Sequence, residues 1–157
     1  MTYHSKKLLL LPFLLVATTS FGQQAAPVSK PVKTILKTDQ APLPIGPYSQ
    51  GVAANGFLFV AGQVGVDPRT RQLVSGSLEA ETTQVMENIR AILEAANLDF
   101  RHVVKTTIYL KDIRQFGRVN ELYGRYFPSE APARETVEVS NLPGNANLEI
   151  SVVAVAP

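Results

Sequence analysis

Apolar residues recur along this chain with two periods, near two and near 3.6, and the changes of period mark its elements. Residues 32–38 read as a first strand. Residues 41–48 hold three prolines and one glycine, which predicts an ordered loop. Strands follow over residues 49–54 and 57–61, joined by Asn55-Gly56, the strongest two-residue hairpin signal. Asp67-Pro68-Arg69-Thr70 predicts a further turn. Ser77 is placed to cap a helix running to Asn97, with Val85, Ile89, Ile92, Leu93 and Ala96 on one stripe. Residues 103–111 alternate as a strand, with Val104, Thr106, Ile108 and Leu110 assigned to one face. Asp112, with Gln115 three residues later, predicts the cap of a second helix through Phe127. Its apolar stripe is Phe116, Val119, Tyr123 and Tyr126, and Pro128 stops it. The last two strands span residues 134–139 and 148–156, around a loop holding Pro143-Gly144.

The order β-β-β, α, β, α, β-β predicts an α+β domain, a mixed sheet with two helices packed on one face. Val152 and Val153 are adjacent, so the last strand is apolar on both faces. The uncovered face needs a cover, and oligomerisation is the simplest one.

The N-terminus changes the picture of charge. Lys6 and Lys7 precede an apolar run over residues 8–17, the length of a secretory h-region and too short to span a bilayer. Ser20-Phe21-Gly22 supplies small residues at the two positions a signal peptidase reads, so residues 1–22 are expected to be a signal peptide cleaved after Gly22. Residues 23–32 read as a flexible linker and 33–157 as the domain. A periplasmic or secreted protein with no stable membrane anchor is the expectation. Removal of the leader takes Lys6 and Lys7 with it and leaves 13 basic against 13 acidic residues. The pI near 9.0 of the whole chain therefore overstates the basicity of the exported form, and no broad cationic field favours nucleic acid. Cysteine is absent, which excludes disulfides and a thiol nucleophile. His102 is the one histidine beyond the leader, so neither a histidine-rich nor a cysteine-based metal site is expected.

Among the remaining chemistry, Arg134 opens a β-branched segment and shares a face with Thr136. Its guanidinium is a fixed fork that fits a carboxylate; the plain alternative is a surface ion pair with Glu135 or Glu138. Glu149 interrupts a strongly apolar strand. It is either a solvent-facing position or a half-buried carboxylate able to orient water or pass a proton. If the strands of Arg134 and Glu149 lie together, the two share one pocket. Tyr48 in the proline-rich loop offers a phenol, and Gly62 allows close approach to backbone N–H groups or marks a bulge. Asn120 and Phe116 on the second helix read as a satisfied amide and a core ring. His102, with no acid or nucleophile beside it in the pattern, reads as structural.

Taken in order, several blocks resemble the Rid family of reactive-intermediate deaminases, also called the YjgF family. They are Ile45-Gly46-Pro47-Tyr48-Ser49-Gln50, Val60-Ala61-Gly62-Gln63-Val64 and Glu87-Asn88-Ile89-Arg90. Val104-Lys105-Thr106-Thr107-Ile108-Tyr109-Leu110-Lys111-Asp112 and Val119-Asn120-Glu121-Leu122-Tyr123 follow, then Pro132-Ala133-Arg134 and Leu148-Glu149-Ile150. The resemblance covers nearly the whole domain. It implies a chorismate-mutase-like fold, a homotrimer with clefts between subunits, and hydrolysis of imine and enamine carboxylates of the 2-aminoacrylate type to 2-oxo acids and ammonia. By the same resemblance Arg134 holds the substrate carboxylate and Glu149 positions water. Tyr48, Gly62, Phe116, Asn120 and Thr136 line or support the cleft, and no metal or organic cofactor is needed. Two positions depart from the family pattern, Ala61 where serine is usual and Thr136 where cysteine is usual, which bears on substrate choice and rate. The alternatives are a non-catalytic extracytoplasmic binder of small carboxylates in the same cleft and an RNA-cleaving or chaperone-like activity, the RNA reading being disfavoured by the neutral charge and the leader.

Overall fold

Local chemistry sets most element ends. A computed structural model describes Met1, residues 32–74 and residues 76–156. The signal-peptide and linker expectations fall almost wholly on residues 2–31, outside the described residues. The strands are β1 (Lys33–Leu36), β2 (Gly51–Ala54), β3 (Phe57–Gln63), β4 (Val103–Leu110), β5 (Ala133–Glu138) and β6 (Leu148–Val155). The helices are α1 (Leu78–Ala95) and α2 (Phe116–Gly124). Asn55 and Gly56 both take positive φ, 52° and 77°, as a type I′ turn requires, and β2 pairs back on β3 with Ala54 opposite Phe57. Ser77 Oγ accepts from the N–H of Ala80 and caps α1. At the other end Asn97 enters the left-handed region with φ 58°, and the N–H of Leu98 reaches back to the carbonyl of Leu93. That closes the helix at Ala95, just short of the expected end.

The strands form one mixed sheet in the order β1-β2-β3-β6-β4-β5, antiparallel throughout except for the parallel pair β4-β5. Both helices cover the same face. Val85, Met86, Ile89, Ile92 and Leu93 of α1 and Val119 and Tyr123 of α2 pack on Leu58, Val60, Ile108, Ile150 and Val152. Each such side chain withdrawn from water contributes about 1.5–3 kcal/mol before entropy is counted. On the other face Phe57, Phe59 and Val155 remain exposed at one end, and half-buried Val153, Ser151 and Glu149 continue that face toward the start of β6.

Four expectations are corrected. Val104 does not share a face with buried Thr106, Ile108 and Leu110: it is exposed, and Val103 is buried instead. Val103 pairs with Ala154 and Lys105 with Val153, so one extra residue is bulged out of β4 there and the alternation shifts by one. Asp112 caps a 3-10 turn over residues 113–115, through the N–H of Arg114, rather than α2 itself. Helix α2 ends at Gly124, and the last residues to Phe127 continue only as tight i→i+3 turns. Finally, Phe116 lies outside the core, 41% exposed, while Leu122 takes its place on the buried stripe.

Candidate functional site

Arg134 stands on the outermost strand, opposite Thr106 of β4. Thr106 is fully buried and accepts a hydrogen bond from the Tyr123 hydroxyl at 3.0 Å, which locates α2 directly above this register. The Arg134 side chain consequently lies under α2. Its Nη2 donates to Asn120 Oδ1 at 2.8 Å, and its guanidinium carbon sits 4.9 Å from the Tyr123 ring centre and 5.6 Å from that of Phe116. Two aromatic rings beside the cation steady the guanidinium without neutralising it. The surface ion pair is not what forms. Glu135 bonds Lys105 and Thr107, and Glu138 accepts from the Ile113 N–H. Among the described residues Arg134 has no carboxylate partner, so most of its five donors are free for an anion.

Asn120, exposed on α2, meets the cation through its Oδ1, and the Phe116 ring stands beside it. Thr136, two residues on and opposite buried Ile108, shares the Arg134 face. Its Oγ1 is shielded from solvent and has no hydrogen-bond partner among the described residues. A buried hydroxyl left unpaired costs about 1–3 kcal/mol. Thr136→Val is therefore expected to leave stability unchanged or raise it by about 1 kcal/mol. Thermal unfolding checks this, and a clearly lowered Tm contradicts it.

Glu149 belongs to a second group on the other face. Val60 pairs with Val152 but Gln63 with Ile150, so β3 carries one extra residue between them and bulges at Ala61 and Gly62. Glu149 lies against this bulge. A Cβ on Gly62 would stand 2.7 Å from Glu149 Cδ and nearer still to Oε1, so only glycine admits the carboxylate there. The carboxyl is half-buried, has no hydrogen bond among the described residues, and burial alone pushes its pKa above the ordinary glutamate value. Tyr48 stands in the loop before β2, half exposed, its hydroxyl accepting weakly from the Ile45 N–H at 3.4 Å. His102 closes a capping box with Asp99, as a structural residue would.

Arg134 and Glu149 do not share a pocket within one chain, which corrects the expectation from adjacent strands. β4 lies between β6 and β5. Glu149 registers with Tyr109 and Arg134 with Thr106, three residues away along β4. Strand spacing and rise put their Cα atoms about 14 Å apart. The side chains also leave opposite faces of the sheet. Two surface depressions, one beside Arg114 and Glu138 and one beside Arg90 and Tyr126, include neither residue.

The sequence reading missed three supports. Gln50 is buried, its Nε2 facing the carbonyls of Thr38, Ala41 and Pro42, and this holds the proline-rich loop that carries Tyr48. Asn88 donates to the carbonyls of Val64 and Val66, and Glu81 accepts from the backbone and side chain of Asn147. Glu81, Val85, Asn88 and Ile92 follow helical spacing, so the two polar residues fall on the apolar stripe of α1. That placement was the available signal.

The family model described as Endoribonuclease L-PSP matches residues 38–156. A RutC family protein of Pyrococcus horikoshii is 49% identical over 123 residues, covering 78% of this chain and 98% of the relative. The human protein named 2-iminobutanoate/2-iminopropanoate deaminase is 44% identical over 128 residues, 82% of this chain and 93% of the relative. Among solved structures, that of TdcF of E. coli with bound serine superposes with a TM-score of 0.76 at 34% identity, over 79% of this chain and 99% of the other.

Proposed function

The chain belongs to the Rid/YjgF/RutC family, whose model bears the L-PSP description, and on that footing we propose that it hydrolyses small imine and enamine carboxylates, 2-aminoacrylate-like, to 2-oxo acids and ammonia. The observation that carries the proposal is Arg134, a guanidinium set over two rings, bonded to a neutral amide and, among the described residues, left without a carboxylate of its own. Such a group fits a ligand carboxylate in bidentate fashion. Glu149 supplies the second half. With the substrate carboxylate anchored, a water held by Glu149 attacks the C=N carbon. Glu149 takes a proton from that water and returns it to nitrogen; collapse of the carbinolamine forms C=O and releases ammonia. The imine carbon is already electrophilic, so orientation carries the rate, and proximity is worth up to roughly 7–11 kcal/mol. Any RNA-directed activity finds no support in the neutral charge beyond the leader.

Because one chain separates Arg134 and Glu149 on opposite faces, the working site is completed between copies, Arg134 of one subunit meeting the Gly62–Glu149 face of the next. The exposed apolar residues Phe57, Phe59 and Val155, on the same face of the sheet as Glu149, favour this assembly, since such a face is covered in a stable oligomer. The proposed assembly is a homotrimer, and the proposed location is the periplasm or the exterior, on the strength of the leader pattern.

The pH dependence has a definite sign. The carboxylate form of Glu149 is the working base, and burial raises its pKa. Activity is therefore expected to rise with pH through a midpoint above the ordinary glutamate value of 4.5. For stability the sign is opposite. A raised folded-state pKa favours the folded chain fully below the unfolded value, and that contribution is lost as pH climbs past the raised one. Glu149→Gln is thus expected to remove the acid limb of the rate profile and to raise Tm at neutral pH relative to wild type. An unchanged acid limb in that variant contradicts the assignment.

The direct test supplies imino acids generated by an amino-acid oxidase and follows ammonia and 2-oxo acid. Release faster than in buffer supports the hydrolase, and release at the buffer rate sinks it. A second reading is favoured by the serine bound to the E. coli relative. In that case the cleft captures small carboxylates without turning them over, and calorimetry shows Arg134-dependent binding that Glu149→Gln leaves intact.

A further inference from the structure

Two glycines and two glutamates interlock where β3 leaves the sheet and β6 enters it. Gly62 is overlain by the carboxyl of Glu149, and Gly65, three residues on, is overlain by Glu81 of α1. A Cβ on Gly65 would lie 2.5 Å from Glu81 Cγ and 2.9 Å from its carbonyl oxygen, so the chain after β3 runs directly against the helix. Glu81 is 2% exposed. Its Oε1 accepts from the Asn147 backbone N–H at 2.7 Å and its Oε2 from Asn147 Nδ2 at 2.6 Å. Asn147 stands two residues before Glu149. Asn88, seven residues beyond Glu81 on the same helix face, grips the other side of Gly65 through the carbonyls of Val64 and Val66. A carboxylate this deep is costly unless its charge is met. Here two N–H donors and the first turn of α1 meet it. A well-packed aliphatic residue would suffice to hold a helix against a sheet. The clamp has a further consequence, because it ties Asn147, two residues before Glu149, to Gly65, three residues after Gly62.

We infer that Glu81 is a positioning residue for Glu149: by holding Asn147 to α1 and abutting Gly65, it sets the distance and angle at which the Glu149 carboxyl stands over the Gly62 peptide. The inference rests on the hydrolase reading for its catalytic meaning. Its geometric content is separate. Glu81 makes its side-chain hydrogen bonds to Asn147, away from the Arg134 cluster. Its loss is therefore expected to act on turnover and leave carboxylate binding in place.

The test uses three variants. Asn147→Ala keeps the backbone N–H to Glu81 and removes only the side-chain donor. Glu81→Gln keeps the shape, and rotation of the Asn147 amide lets the neutral pair remake both bonds. Glu149→Gln supplies the background for a double-mutant cycle. With imino-acid substrate, Asn147→Ala is expected to lower kcat about tenfold with KM within about twofold, and Glu81→Gln to stay within about threefold of wild type. In the Glu149→Gln background Asn147→Ala is expected to cost nothing further. A second readout needs no turnover: the titration midpoint of the Glu149 carboxyl, followed by carbon NMR on glutamate-labelled protein. Asn147→Ala is expected to move that midpoint toward the ordinary value as the carboxyl leaves Gly62. Equal losses in both backgrounds, or a midpoint that does not move, overturn the inference. If wild type shows no hydrolysis, the functional reading falls alone and the midpoint still decides the clamp.

Discussion

Arg134→Ala is expected to lower kcat/KM for an imino-acid substrate about 100- to 10,000-fold. Two charge-assisted hydrogen bonds to a carboxylate are worth about 1.5–3 kcal/mol each, and each 1.4 kcal/mol is about tenfold. The fold should survive the change. Arg134 is only half-buried on the outermost strand, and among the described residues its one side-chain hydrogen bond goes to Asn120. Arg134→Lys is expected to recover only part of the loss. An ammonium has no planar fork to set beside Tyr123 and Phe116 and cannot grip a carboxylate with two parallel bonds. Steady-state kinetics beside a melting curve check both statements. A variant that keeps wild-type kcat/KM removes Arg134 from the site.

Gly62→Ala is the second large effect, and it separates Glu149 from general stability. The added methyl meets the Glu149 carboxyl, with Cδ at 2.7 Å, and touches no backbone atom more closely. A side-chain terminus can swing aside, and Gly62 does not occupy the left-handed region, so the backbone tolerates alanine. The protein is expected to fold with a Tm within a few degrees of wild type. Activity is expected to drop about 100-fold or more, because the displaced carboxyl no longer holds water at the bonding distance. Adding Glu149→Ala to Gly62→Ala is expected to cost little further, since the two substitutions remove one function. Retention of more than about a third of wild-type turnover by Gly62→Ala contradicts the placement of the water site.

What was legible in the sequence was local. Asn55-Gly56 specifies its own turn, Ser77 caps its own helix, and the stripe from Val85 to Leu93 needs no partner to be read. The sharing of one face by Arg134 and Thr136 also followed from parity alone. Failures began where a partner decides the outcome. The bulge at Val104 is set by its pairing with β6, and a single strand's alternation carries no trace of it. The insertion of β6 between β3 and β4 is a long-range choice, and it separates two residues that lie 15 positions apart in the chain. Phe116 reads as core by spacing, yet the 3-10 turn that begins at Asp112 brings it to the rim beside Arg134. The family blocks pointed to Arg134, Glu149, Gly62 and Asn120 without revealing that they form two groups. Gln50 and Asn88 stood in those blocks with no role until their buried carbonyl partners appeared.

That division leads to the most direct measurement. Arg134→Ala and Glu149→Gln, each expected to be nearly inactive alone, are co-expressed and purified as mixed oligomers. If one subunit supplies Arg134 and its neighbour supplies Glu149, random mixing in equal amounts rebuilds an intact pair at about a quarter of the sites of a cyclic oligomer. The mixture should then regain about a quarter of wild-type imine hydrolysis. A mixture no more active than its two parents contradicts the account, because it requires both residues to act from the same chain.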